Sequence, residues 1–99
     1  MTYAFVQDIA SSWDRYQHLR AALTGPPPDG LILHLAGPTD EGFRVIGVWE
    51  SERAWRQFQR ENLQPALAAL GAPDPPQPRF RDLNAEHVVF GSARQAGDT

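Results

Sequence analysis

The sequence predicts an α+β domain in which four strands and two helices alternate as β-α-β-β-α-β, with the strands in one antiparallel sheet. Three observations carry this. Residues 31–37 and 43–50 are strand-like apolar segments on either side of Pro38-Thr39-Asp40-Glu41-Gly42, a linker with turn chemistry. Two stretches with apolar residues at helical spacing lie before and after that hairpin, each followed by a proline-rich connector, at 25–30 and 71–78. Strand-like segments also stand at the two ends, at 3–8 and within 79–90. A chain of 99 residues holds one core. Residues 1–90 are therefore read as a single domain and residues 91–99, with little to bury, as a flexible tail.

Each element has its own justification. In residues 3–8, Tyr3, Phe5 and Gln7 share one strand face and Ala4 and Val6 the other. Ser11 is the expected cap of the first helix, with Asp14 in the place of a capping-box acid. Trp13, Tyr16, Leu19 or Arg20, and Leu23 then recur at helical spacing. Gly25-Pro26-Pro27-Pro28-Asp29-Gly30 ends that helix, because proline supplies no backbone donor. In the hairpin, Gly42 suits a left-handed turn position. Ser51 caps the second helix and Glu52 complements its dipole. Ala54, Trp55, Phe58, Leu63, Leu67 and Leu70 form its apolar stripe, which Pro65 must kink or restart. The last strand is expected in two pieces, broken near Asn84.

This order is ferredoxin-like, with two helices on one face of the sheet. A hairpin in simple register puts Leu31, Leu33, Leu35, Phe43, Val45 and Trp49 on one face, and Ile32, His34, Ala36, Arg44, Ile46 and Val48 on the other. Both faces are largely apolar, yet two helices cover only one. An antiparallel sheet ordinarily shows water a polar face, so a second copy of the chain is the simplest cover. A homodimer is expected.

Composition excludes whole classes of chemistry. The chain has no cysteine, which removes disulfides, thiolate nucleophiles and cysteine metal sites. All nine basic residues are arginine, so Schiff-base lysines and the lysine of a phosphate-binding loop are excluded. A net charge of −3 speaks against a nucleic-acid surface. No apolar run approaches the roughly 20 residues of a membrane-spanning helix, and the first residues lack signal-peptide character, so a cytoplasmic protein is expected. His18, His34 and His87 lie far apart, without His-x-His or a helical His–Glu pair, so no metal site is expected.

The segment from Leu33 through the Pro38–Gly42 linker to Val48-Trp49-Glu50-Ser51, followed by a helix carrying Trp55 and Phe58, resembles the antibiotic biosynthesis monooxygenase-like family of dimeric α+β barrels. The resemblance covers roughly residues 3–90. It implies two sheets packed back to back into a barrel, which would cover the second apolar face. It also implies a range of activities: oxygenation of hydroxyaromatic polyketides without metal or flavin, haem degradation, polyketide cyclisation, or isomerisation of small metabolites. The haem-degrading branch uses an Asn late in the first strand, a Trp in the second helix and a His ten residues later. Gln7, Phe58 and Ala68 stand at the matching positions, so haem degradation is not expected. Other relatives carry histidines on the second helix, where residues 54–70 have none, and an acid where this chain has Gly47.

His34 is the candidate acid–base residue, since an imidazole titrates near neutrality. The alternative is a structural histidine bonding across a dimer or to a backbone carbonyl. Arg44 is a candidate holder of an oxyanion, or else an interface ion pair. Trp49, Trp55 and Phe58, with Tyr16, are candidate walls for a planar ligand, and the plainer reading makes them core. Gln7 or Tyr16 would be the polar orienter. Asp40 and Glu41 read as a solvated hairpin tip, and Arg53, Arg56 and Arg60 as an exposed helix stripe paired with Glu52 and Glu61.

The function expected is that of a small-molecule pocket protein resembling cofactor-independent monooxygenases of aromatic or polyketide-like metabolites. His34 would act as base, with no cofactor. A cyclase or isomerase on the same fold, and a non-catalytic ligand-binding or interaction domain, are the alternatives.

Overall fold

The computed structural model describes residues 2–71 and 79–93. Its strands are β1 (Thr2–Ile9), β2 (Leu31–Thr39), β3 (Gly42–Trp49) and β4 (Arg79–Ala85). They form one sheet in the order β2-β3-β1-β4, every neighbouring pair antiparallel. Helices α1 (Trp13–Ala22), α2 (Glu52–Phe58) and α3 (Gln64–Ala69) pack against one face. This is the ferredoxin-like arrangement. The expected connector at 71–78 and tail at 91–99 fall largely outside the described residues.

The core is an aromatic layer between sheet and helices. Tyr3, Phe5, Phe43, Val45, Trp49 and Trp55 are buried, with Trp13, Tyr16, Leu31 and Phe58 packed on them. Phe5 lies 4.4 Å from Trp55, and Trp49 lies 5.6 Å from Trp55 and 5.4 Å from Phe58, ring centre to ring centre. Spacings of this size are favourable tilted-ring contacts. Tyr3 is 1% exposed, and its hydroxyl donates to Asp82 at 2.6 Å, which satisfies the one polar atom of a sunken ring.

Ser51 caps α2 as expected, accepting from the Ala54 amide at 3.1 Å. The first helix is capped one residue later than expected, by Ser12, which accepts from the Arg15 amide. Asp14 then lies in the first turn but not in the capping-box position, which Arg15 occupies. The hairpin turn is tighter than expected: β2 runs on through Pro38 to Thr39, and β3 starts at Gly42. Proline is tolerated there because β2 is an edge strand. Gly42 adopts a positive φ of 156°, and a Cβ there would run into the Ile9 carbonyl.

Pro65 restarts the helix. Between α2 and α3, residues Gln59–Leu63 form a widened π turn, in which the Gln64 amide donates to the Gln59 carbonyl. The extra residue in that turn accommodates the donor that Pro65 lacks. The last strand is not broken near Asn84. Asn84 pairs with Tyr3, and β4 runs unbroken to Ala85.

The largest departure concerns β2. Leu31 pairs with Trp49, but Leu33 pairs with Val48, so Ile32 is an extra residue in a β-bulge. Every later side chain of β2 therefore changes face. His34 and Ala36, opposite Gly47 and Val45, turn toward the helices, while Leu33 and Leu35, opposite Val48 and Ile46, turn away. Arg44 does not share a face with His34. It lies on the open side, bonded to Asp8 through two contacts of 2.6 and 3.2 Å. That open face also carries Leu33, Leu35 and Leu83, each about half exposed.

Candidate functional site

Between the helices and the sheet lies a cavity of about 800 Å³, within the range that takes a small organic ligand. Gln7, Tyr16, His34, Trp49, Trp55 and Phe58 all line it. Simple hairpin parity separates His34 from Trp49, and a bulge at Gly42 is one way to reunite them. The bulge is instead at Ile32, and it brings the imidazole into the aromatic chamber.

Each side chain is placed by its element. Phe5 and Gln7 rise from β1, Trp49 from β3, His34 from β2, Tyr16 from α1, and Trp55 and Phe58 from α2. Tyr16 Oη and His34 Nε2 share a hydrogen bond of 2.8 Å, with their rings only 10° from parallel. Trp13 stacks on Tyr16 at 4.8 Å and 13°. Partial desolvation pushes the half-buried Tyr16 phenol above its ordinary pKa and pulls the His34 imidazole, which keeps an exposed side, below its ordinary one. Both shifts favour the neutral forms of the hydrogen-bonded pair.

Trp55 is 4% exposed, and its indole Nε1 has no hydrogen-bond partner among the described residues. Arg44, the candidate holder of an oxyanion, is excluded from this chamber by its face. Its guanidinium instead holds the Asp8 carboxyl below the usual carboxylate range. Among the described residues no three His, Asp or Glu side chains gather as a metal site.

Sequence reasoning missed part of the wall. Pro26, Pro27 and Pro28 of the connector border the cavity, together with Arg20, Asp29 and Glu61. The Gly30 carbonyl accepts from the Glu50 amide at 2.8 Å, which ties the end of the connector to the start of α2. Three consecutive prolines, already stiff in φ, were the available signal that this linker has a fixed course.

No protein-family model matches the sequence, and no curated protein does. Solved structures do match. A protein of Deinococcus radiodurans described as an antibiotic biosynthesis monooxygenase superposes with a TM-score of 0.62 at 18% identity, covering 94% of this chain and 100% of its own. SnoaB of Streptomyces nogalater, a cofactor-independent oxygenase, superposes as a point mutant with a TM-score of 0.57 at 17% identity, covering 89% of this chain and 94% of its own. A point mutant of MhuD, with two manganese protoporphyrin IX bound per active site, gives 0.55 at 17% identity, covering 91% and 98%. The aromatic chamber is thus built on the fold of the antibiotic biosynthesis monooxygenase-like proteins.

Proposed function

We propose that this protein binds a planar aromatic or polyketide-like metabolite in the chamber between helices and sheet and oxygenates it without a cofactor. The observation that carries the reading is the Tyr16–His34 hydrogen bond in a cavity that Phe5, Trp49, Trp55 and Phe58 also line. The fold shared with SnoaB supports it.

In such a reaction the substrate supplies the reactivity. Deprotonating a phenol or anthrone yields an electron-rich anion that passes an electron to oxygen. For an anthrone, one oxygen atom becomes the new ring carbonyl and the other leaves as water, so the substrate provides all four electrons. The protein has to supply a base, groups that orient the anion, and a water-poor cavity. His34 is the base, and Tyr16 and Gln7 are the polar orienters. Trp49, Trp55 and Phe58 are the walls. A cyclase or isomerase would use the same parts. A purely ligand-binding role is the second reading, favoured by the aromatic side chains of Trp49, Trp55 and Phe58, which can hold a planar ligand without chemistry.

The partner proposed is a second copy of the chain, seated on the open face that Leu33, Leu35, Ile46 and Leu83 share. Oxygen uptake by the purified protein with a hydroxyanthrone tests the oxygenase reading. Consumption above the uncatalysed rate is expected. A ligand that binds tightly with no consumption would leave the binding role in its place.

A further inference from the structure

We infer that Tyr16, not His34, is the group that meets the ligand's hydroxyl, and that His34 works behind it as the acceptor of the tyrosine's proton. The inference rests on the pocket reading above and assigns the order of its polar groups. Nε2 of an imidazole has one lone pair or one proton, and here it is engaged by Tyr16 Oη at 2.8 Å. In either tautomer that nitrogen has nothing left for a ligand.

The direction of the bond follows from acid–base strength. A phenol is a far stronger acid than a neutral imidazole N–H, and an imidazole nitrogen is a far stronger base than a phenol oxygen. The Tyr16 hydroxyl therefore donates to His34 Nε2, and the ring proton sits on Nδ1. The partial desolvation of both groups, which favours their neutral forms, agrees with this assignment. Trp13 stacks against one face of the tyrosine, and Phe43 lies 5.3 Å away, so the phenol is held where it is.

With its proton committed to His34, the Tyr16 oxygen presents only lone pairs to the cavity. It selects a ligand with a hydroxyl to donate and meets a carbonyl or ether oxygen unfavourably. Gln7 also lines the cavity and can serve the ligand's other oxygen atoms. On ionisation the ligand's O–H bond breaks and its proton joins Tyr16 Oη, while the proton that Tyr16 held moves to Nε2. The ligand loses one proton, Tyr16 exchanges one for another, and His34 gains one. The products are a ligand oxyanion and a His34 imidazolium, so charge is conserved.

The test uses 2-hydroxyanthraquinone and its methyl ether as probes, with absorbance reading ionisation of the bound phenol. Arg20, Asp29 and Glu61 also border the cavity, and they are common to every variant compared. In the wild-type protein the bound phenol should ionise at a lower pH than in free solution. Tyr16→Phe should return that ionisation to its free value, and His34→Gln should bind the probe without ionising it. The methyl ether should bind the wild type about tenfold more weakly than the parent, the cost of one missing hydrogen bond.

Retention of the lowered ionisation in Tyr16→Phe would overturn the relay and make His34 the direct base. Equal binding of ether and parent would also overturn it. Failure of the parent probe to bind the wild type would overturn the pocket reading itself. The ¹⁵N shifts of His34 in the ligand-free protein give an independent measure: Nδ1–H is expected, and Nε2–H would reverse the hydrogen bond and overturn the relay.

Discussion

The ring of Phe5 occupies the space that a side chain at Gly47 would need. The two residues are direct partners across β1 and β3, and a Cβ on Gly47 would stand 2.6 Å from Phe5 Cζ. Gly47 is also the partner of His34 on its other side. The missing side chain on the central strand thus lets an aromatic ring lie flat on the cavity floor beside the imidazole. Gly47→Ala should lift the Phe5 ring into the chamber, costing about 1–3 kcal/mol of stability, typical of overpacking. Denaturant unfolding would read the loss, and a weaker bound probe would read the narrowed floor. Unchanged values for both would show that Phe5 is free to move aside.

The open face predicts the assembly. Ile46 lies at its centre, paired with Val6 on one side and Leu35 on the other. Interfaces of this permanent kind commonly bury about 2,000 Å² or more. Light scattering at micromolar concentration should return twice the chain mass of 11.0 kDa. Ile46→Glu should split or unfold the dimer by burying an unpaired charge. A mass of one chain in the wild type would defeat the proposal, and an intact Ile46→Glu dimer would move the interface to another face.

Haem should not bind stoichiometrically, although the fold is shared with a porphyrin-bound protein. Residues 54–70 contain no histidine to serve as an axial ligand, and the one in the chamber already bonds Tyr16. A titration followed at the Soret band checks this. A sharp band at one equivalent would contradict it, and its loss on His34→Ala would show the imidazole leaving Tyr16 for iron.

Much of this architecture was legible because local chemistry and tertiary structure agree. Ser51 with Glu52 marks a helix start, and the Pro38–Gly42 linker marks a hairpin. Pro65 marks the restart after the π turn. The face of His34 was not legible, because a bulge at Ile32 leaves no mark in the residue types around it. Leu31-Ile32-Leu33 is apolar at every position, so no alternation exists there to reveal an extra residue. The same ambiguity put Arg44 beside His34, when it faces away and bonds Asp8. The Tyr16–His34 bond joins residues 18 apart in sequence and exists only because the bulge turns one of them toward the other.

Partial desolvation of the His34 imidazole, which keeps one side open to solvent, makes stability depend on pH in a definite direction. Its folded pKa lies below the reference value of 6.5, and desolvation is the cause. Between those two values the unfolded chain binds more protons than the folded one, so stability rises with pH across that window. The contribution is complete above the unfolded pKa and is lost as pH falls from there through the folded one. Urea midpoints of wild type should therefore decline from about pH 7.5 to about pH 5.5 more than those of His34→Gln, which lacks the titrating group. Parallel declines would mean that the imidazole is as well solvated in the folded protein as in the unfolded chain.

Apolar walls should matter more to ligand affinity than the imidazole does. Trp55 packs on Phe5, Trp49 and Phe58 at once, and Trp55→Ala would remove the ring that joins them. Truncating a buried aromatic costs about 3–5 kcal/mol, so folding of this variant must be verified first. Trp55→Phe provides the milder probe. It keeps most of the packing and deletes an indole N–H that has no acceptor among the described residues, so its stability should stay within about 1 kcal/mol of wild type. Among folded variants, binding of a planar probe should fall further in Trp55→Ala than in His34→Ala. Both residues line one cavity, so the comparison weighs wall against polar pair within a single site. A greater loss in His34→Ala would mean that the hydrogen-bonded pair, rather than the aromatic enclosure, holds the ligand.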